Sequence, residues 1–224
     1  MVCGWLFVPM CEAISVVDIQ ARWKTIQEAT CDREAAYDYV LSGTFLPEAM
    51  VESGILYQKG VYVRKDVQKP QVKTVWMTPT EIVEKDMRTG KKTRSKRDTP
   101  FQHDPFGMTN PYGMCQSFSL EIVTENATWI ELKGVKGSSC IQVLVRQGSY
   151  VIDRLRLAFE DQPYMALTMA YSQLDPIAVV TSIKEEVWIR TSKQIQKMEM
   201  IQRYQQVRIN QGLTQSLFRD VDGI

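Results

Sequence analysis

The sequence has one histidine, His103, and five cysteines that nowhere pair as C-x-x-C. A lone imidazole leaves no clustered set for a histidine-built metal or hydrolase site. Cys3, Cys11, Cys31, Cys115 and Cys140 are odd in number and widely spaced, so they predict neither a disulfide framework nor a zinc knuckle. Their usage predicts a reducing compartment, cytoplasmic or possible in a plastid. Net charge is missing too. At +1, with a pI near 7.6, the chain has no global field to gather nucleic acid or anionic membrane, and any such role would need a local patch. The apolar stretch 2–10 is too short to span a bilayer and lacks a positively charged leader. It predicts a packed arm or first strand and no transmembrane segment. Phosphate-cradling glycine loops and the G-x-S-x-G nucleophile turn do not occur either.

What is present is ordinary globular material: 44% hydrophobic and 24% charged residues in 224, enough for one domain with a sizeable core. Residues 1–54 predict a helical N-terminal segment. Val16, Ile19, Trp23 and Ile26 recur at three- and four-residue spacing, and a second helical piece follows through Asp32 and Tyr37 to a stop at Ser42-Gly43. Thr30 and Asp32 are its candidate N-caps. A further helical turn is expected between Pro47 and Gly54.

From residue 55 the period changes to that of strands. Residues 55–58 and 61–64 flank Lys59-Gly60, and Val72, Thr74 and Trp76 share one face of residues 71–77. Residues 80–88 and 91–97 flank Thr89-Gly90, and the second arm is so polar that an edge or protruding tip is expected. Residues 99–114, with Pro100, Pro105, Pro111, Gly107 and Gly113, read as a long aromatic loop. Strands resume at 117–124, 128–133, 139–146, 150–160, 164–171 and 177–190. Residues 191–224 read as a C-terminal helix, because Ile195, Met198, Ile201 and Tyr204 recur every three residues. The competing reading is a strand, a turn at Asn210-Gln211-Gly212 and a closing strand over 213–221. The expected fold is therefore mainly β, an α+β chain whose antiparallel meander over 55–190 closes into a lipocalin-like β-barrel, with N-terminal helices and a C-terminal helix. A barrel of about eight strands can hold one small ligand.

Chemistry is sparse. His103 beside Asp104 could be oriented for acid–base or metal work, yet without partners a solvated loop role is the commoner one. The basic run from Arg88 to Arg97 could grip phosphates, but it lacks interleaved aromatics and reads more simply as a solvated edge, so nucleic acid is not an expected partner. Glu185 and Glu186 point to opposite faces of a strand and cannot share a substrate. The candidate ligand-binding set is Trp76, Trp129, Arg154, Arg156, Met165, Met169 and Trp188, apolar lining plus guanidinium groups for an acidic ligand end. Against it, alternation sets Arg154 and Arg156 opposite Leu155 and Leu157, hence outward if the apolar side is the core.

Glu185-Glu186-Val187-Trp188, followed by Gln202-Arg203-Tyr204 and Gly212-Leu213-Thr214, resembles the last strands of lipocalin-like (calycin) proteins of cyanobacteria and plastids, a group that includes the S-type bilin lyases. That resemblance implies a calycin barrel holding a tetrapyrrole, chromophore or other apolar ligand and passing it to a partner protein. It carries over no functional residue, and the cofactor stays unknown. The expected function is non-enzymatic binding of an apolar or chromophore-like small molecule inside a barrel. The alternative is a structural or assembly protein with a solid barrel and interaction loops.

Overall fold

The structure, a computed structural model, describes residues 14–96, 111–173, 177–190 and 194–219. His103, the arm 2–10, Cys3 and Cys11 lie outside the described residues, as does most of the aromatic loop.

Helix α1 spans Val16–Ala29. Its start is fixed by a capping box: Ser15 Oγ accepts from the Asp18 amide at 3.2 Å, and the Asp18 carboxylate accepts from the Ser15 amide at 3.0 Å. Ile19, Trp23 and Ile26 form its buried stripe, as their spacing predicts. The chain then becomes strand: β1 Asp32–Gly43, β2 Met50–Lys59, β3 Tyr62–Lys69, β4 Lys73–Met77, β5 Glu81–Asp86 and β6 Lys92–Lys96. After a short helix α2, Pro111–Cys115, come β7 Ser119–Glu125, β8 Trp129–Lys136, β9 Ser139–Arg146, β10 Ile152–Phe159, β11 Gln162–Gln173, β12 Val179–Arg190 and β13 Ile195–Ile209. A 3₁₀ turn at Gln215–Phe218 follows.

Several expectations are corrected. Residues 32–42 are not a second helix, because Ala35, Tyr37 and Tyr39 alternate inward and β1 is hydrogen-bonded on both sides, to β2 and β13. Nor is there a helical turn before Gly54, which lies within β2. The C-terminal helix is likewise a strand: the inward set of β13 is Met200, Gln202 and Tyr204 at period two, and the three-residue recurrence of Ile195, Met198, Ile201 and Tyr204 is incidental. The strand expected over 213–221 is instead the 3₁₀ turn, as far as it is described.

All thirteen strands join one antiparallel sheet in the order β6-β5-β4-β3-β2-β1-β13-β12-β11-β10-β9-β8-β7. The meander is thus two runs of neighbours welded where β13 meets β1. The last correction is closure: β6 and β7 stand at the two ends of this order, so among the described residues hydrogen bonds do not close the sheet into a barrel. Edge strand β6 is polar and largely exposed, as its sequence predicts.

A sheet of thirteen strands would be roughly 58 Å wide if flat, from ~4.8 Å per strand, whereas α1 is only about 21 Å long. One helix cannot cover such a face. The sheet is curled, and its inner side chains from both halves form a single buried cluster with Ile19, Trp23 and Ile26 of α1. Trp23 anchors the helix through Nε1, which donates to the Tyr150 carbonyl at 2.7 Å, and its ring meets that of Tyr112 at 5.9 Å. The outer face is partly covered as well. After β13, Asn210 and its successors turn back, and the Asp32 carboxylate accepts from the amides of Gln211 and Leu213 at 2.7 and 2.8 Å. Phe218 is thereby buried outside the main core, near β3, where Arg64 reaches the Leu217 carbonyl at 3.5 Å.

Candidate functional site

Alternation and register define the inner face. Tyr37 lies opposite Gly54 and Tyr204, Tyr39 opposite Glu52 and Gln202, and Leu56 opposite Lys65, which in turn faces Val75. Across β11 to β13 the same face carries Met165, Met169, Val187, Glu185 and Met200. Methionine is prominent in this lining, with Met77, Met165, Met169 and Met200 buried and Met114 and Met198 packed against them. Unbranched thioether side chains can follow an irregular partner better than branched aliphatics.

Polar groups interrupt this lining at one place above all. Lys65 is 1% exposed, and its ammonium lies 3.5 Å from Glu52 Oε1. The Tyr37 hydroxyl donates to that same oxygen at 2.8 Å. The ammonium also sits over the rings of Tyr37 and Tyr39, at 4.7 and 5.7 Å from their centres, where the negative ring faces offset lost hydration. Burial, and then the Glu52 charge, push the Tyr37 phenol well above its ordinary range, so it remains a donor. Gly54 makes room: a Cβ there would lie 2.1 Å from the Asp66 carbonyl oxygen. Two further polar side chains, Glu185 and Gln202, are buried on the same face, and the Tyr204 hydroxyl donates to Gln202. Arg33 lies over the ring of Tyr204, its guanidinium carbon 4.0 Å from the ring centre, and donates to the Val180 carbonyl at 3.0 Å. Burial lowers its pKa from the usual guanidinium value.

Of the seven residues singled out from sequence, the structure brings Met165 and Met169 together on the inner face. The other five lie on the outer one. Trp76 shares β4 with inward Val75 and Met77 but alternates away from them, beside Arg64 at 5.8 Å. Trp129 stacks with Arg146 at 5.3 Å, and Arg146 pairs with Asp153 at 2.6 Å. Trp188 lies beneath Lys197 in a ladder of Lys184, Glu186, Lys197 and Glu199. Arg154 and Arg156 are exposed, on the side away from Leu155. Glu185 is buried and Glu186 pairs outward with Lys197, so the two carboxylates part as alternation requires. Sequence reading missed Lys65, Glu52 and Tyr37. The available signal was the phase of Val63, Lys65 and Val67, which places a lysine in the apolar register of its strand.

A separate recess of roughly 150 Å³ opens on the β4–β6 end of the sheet, lined by Gln71, Lys73, Glu84, Asp86, Lys91 and Thr93. Its two lysines balance its two carboxylates, with Lys73 3.0 Å from Glu84 and the Gln71 amide donating to Asp86, so it presents no net charge to a ligand.

Fold and inner face together define a class: an antiparallel, barrel-like sheet, open along one seam, with an apolar concave face and a few buried polar groups. Solved structures of this fold exist. A DUF1329 family protein from Desulfovibrio piger matches with a TM-score of 0.65 and 13% identity, over 91% of this chain and 95% of that one. A LolA superfamily protein from Nitrosomonas europaea matches with a TM-score of 0.59 and 10% identity, over 92% of this chain and 98% of that one. At such identities the likeness is one of fold. No protein-family model and no curated protein matches the sequence. Neither structure is described as a bilin lyase, and the calycin resemblance narrows to a shared barrel-like architecture. No helix among the described residues is long and apolar enough to cross a membrane.

Proposed function

We propose that the chain binds an apolar small molecule against the inner face of its sheet and hands it to a partner protein. The observation that carries this reading is the inner face itself, methionine-rich on β11 to β13 and β4 and carrying a buried ammonium at Lys65. Apolar lining with a small number of placed polar groups is the usual make-up of a small-molecule site. The ligand's polar end would be met by Lys65, Glu52 and Tyr37, and its apolar body by Met165, Met169 and Met200. An acidic end suits Lys65 best, since it replaces the Glu52 carboxylate charge for charge. The fold shared with a LolA superfamily protein supports the same coarse role of binding and delivery. Opening falls to the seam, because β6 and β7 are each paired on one side only in the described sheet.

Displacement titration with a fluorescent fatty acid, 11-(dansylamino)undecanoic acid, tests this. Saturable binding is expected, weakened about tenfold or more by Lys65→Met with Glu52→Gln, which removes the ammonium without stranding the carboxylate, in keeping with loss of one charge-assisted contact. No saturable binding, together with no organic molecule released from freshly purified protein in native mass spectrometry, would sink the reading.

A second reading, an assembly protein with a solid interior, is favoured by Ile130, Leu132, Ile141 and Val143, all 0% exposed on the β8–β9 part of the inner face. It gains ground if the probe fails to bind and the chain is recovered as a stoichiometric complex.

A further inference from the structure

Because neighbouring strands alternate in direction, every second turn falls on the same rim of the sheet. One rim collects the turns β1–β2, β3–β4, β5–β6, β8–β9 and β10–β11 and the facing ends of β12 and β13. Among the described residues, every exposed large hydrophobic side chain lies on that rim except Val17 of α1 and Val61 and Val123 at the opposite one. Phe45, Met50, Val72, Met87, Ile189 and Ile195 mark its length, with Ile195 58% and Met50 57% exposed. Single exposed apolar side chains are common on any protein, but here they gather on the rim opposite the one that Trp23 of α1 reaches at Tyr150 and the C-terminal segment reaches at Asp32. The same turns carry exposed Lys69, Arg88, Lys91, Lys136 and Arg190, against exposed Glu48, Glu160 and Asp161.

We propose that this rim docks on an anionic lipid surface, its apolar tips entering the boundary between headgroups and acyl chains and its lysines and arginines meeting the phosphates. The arrangement of the tips selects this occupant. Turns on one rim recur about every 10 Å, two strand spacings, so the apolar groups form separated points with basic residues between them. A protein partner asks for a contiguous, complementary patch. A fluid interface accepts separate insertions and draws basic groups at close range although the net charge is only +1. The inference stands apart from the ligand reading, since rim and inner face share no named residue.

Co-sedimentation with vesicles of phosphatidylcholine and phosphatidylglycerol, compared with phosphatidylcholine alone, tests it. The intact chain should bind the anionic vesicles and lose binding as salt rises, because exposed charges are screened within about 10 Å at 0.1 M ionic strength. Phe45→Ser with Ile189→Ser should lower partitioning at least about tenfold, given the apolar area withdrawn from insertion. Lys136→Glu with Arg88→Glu should abolish the preference for anionic vesicles. The opposite-rim pair Val61→Ser with Val123→Ser should bind as the unchanged chain does. All of these positions are exposed, and an unaltered thermal transition verifies folding. The proposal is overturned if the intact chain ignores anionic vesicles, or if the opposite-rim pair loses as much as the rim pair. It is equally overturned if the rim pair only dissolves a concentration-dependent dimer in sedimentation, which would assign the rim to a second copy.

Discussion

At the scale of single residues, the buried pair of Lys65 and Glu52 is where stability and function meet. Breaking such a pair strands a charge, and Glu52→Ala should cost about 3–5 kcal/mol in denaturant unfolding, whereas Lys65→Met with Glu52→Gln together should cost far less. A double-mutant cycle reads the difference. Gly54 is constrained from the other direction: a Cβ would be driven into the Asp66 carbonyl, so Gly54→Ala should destabilise by at least about 2 kcal/mol. Cys115 has its thiol pushed up to about 12 by burial. It should resist iodoacetamide in the folded protein while exposed Cys31 reacts, which peptide mass mapping would show. Met165 and Met169 lie in an apolar phase of β11, which is legible in the sequence and which the structure turns inward. Trp76, Trp129 and Trp188 lie on the outer face instead, since an aromatic ring on a strand is equally at home there beside a cation, and only the phase of the neighbours tells the two faces apart.

At the scale of elements, the strands from β3 to β12 were legible because alternation and turn residues act over a few positions. Strand β9 begins and ends where its pattern predicts, at Ser139 and Arg146. The misread elements, β1 and β13, are the pair at the centre of the sheet. Their residues have no strong local bias, and partners far apart in sequence supply the hydrogen bonds that decide them. The returning C-terminal segment is another long-range element, with Phe218 as its anchor at 1% exposure. Phe218→Ala should cost about 3–5 kcal/mol and leave the segment open to limited proteolysis. Loss of stability without new cleavage after Gln211 would argue against an anchoring role.

At the scale of the whole molecule, the buried phenols and thiol set a pH dependence. Burial raises the folded-state values of Tyr37, Tyr171 and Cys115, while the unfolded chain keeps ordinary values of 10.0 for tyrosine and 9.0 for the thiol. The unfolded state therefore gives up protons first. The stability held in these groups is fully present below about pH 9 and is lost as pH rises through the interval up to about 12 for Cys115. Urea midpoints should fall steadily above about pH 9, and the fall should be shallower in Cys115→Ala. By itself the sequence determined the strand-rich character, the apolar stripe of the first helix, the polar edge at β6 and the apolar phase of strands such as β10, all consequences of interactions within a few residues. Tertiary structure alone decided that β1 and β13 join the two runs, that the sheet curls without closing, and that Lys65 is buried beside Glu52. Those outcomes depend on contacts between distant segments, and on a curvature that a single helix could not replace.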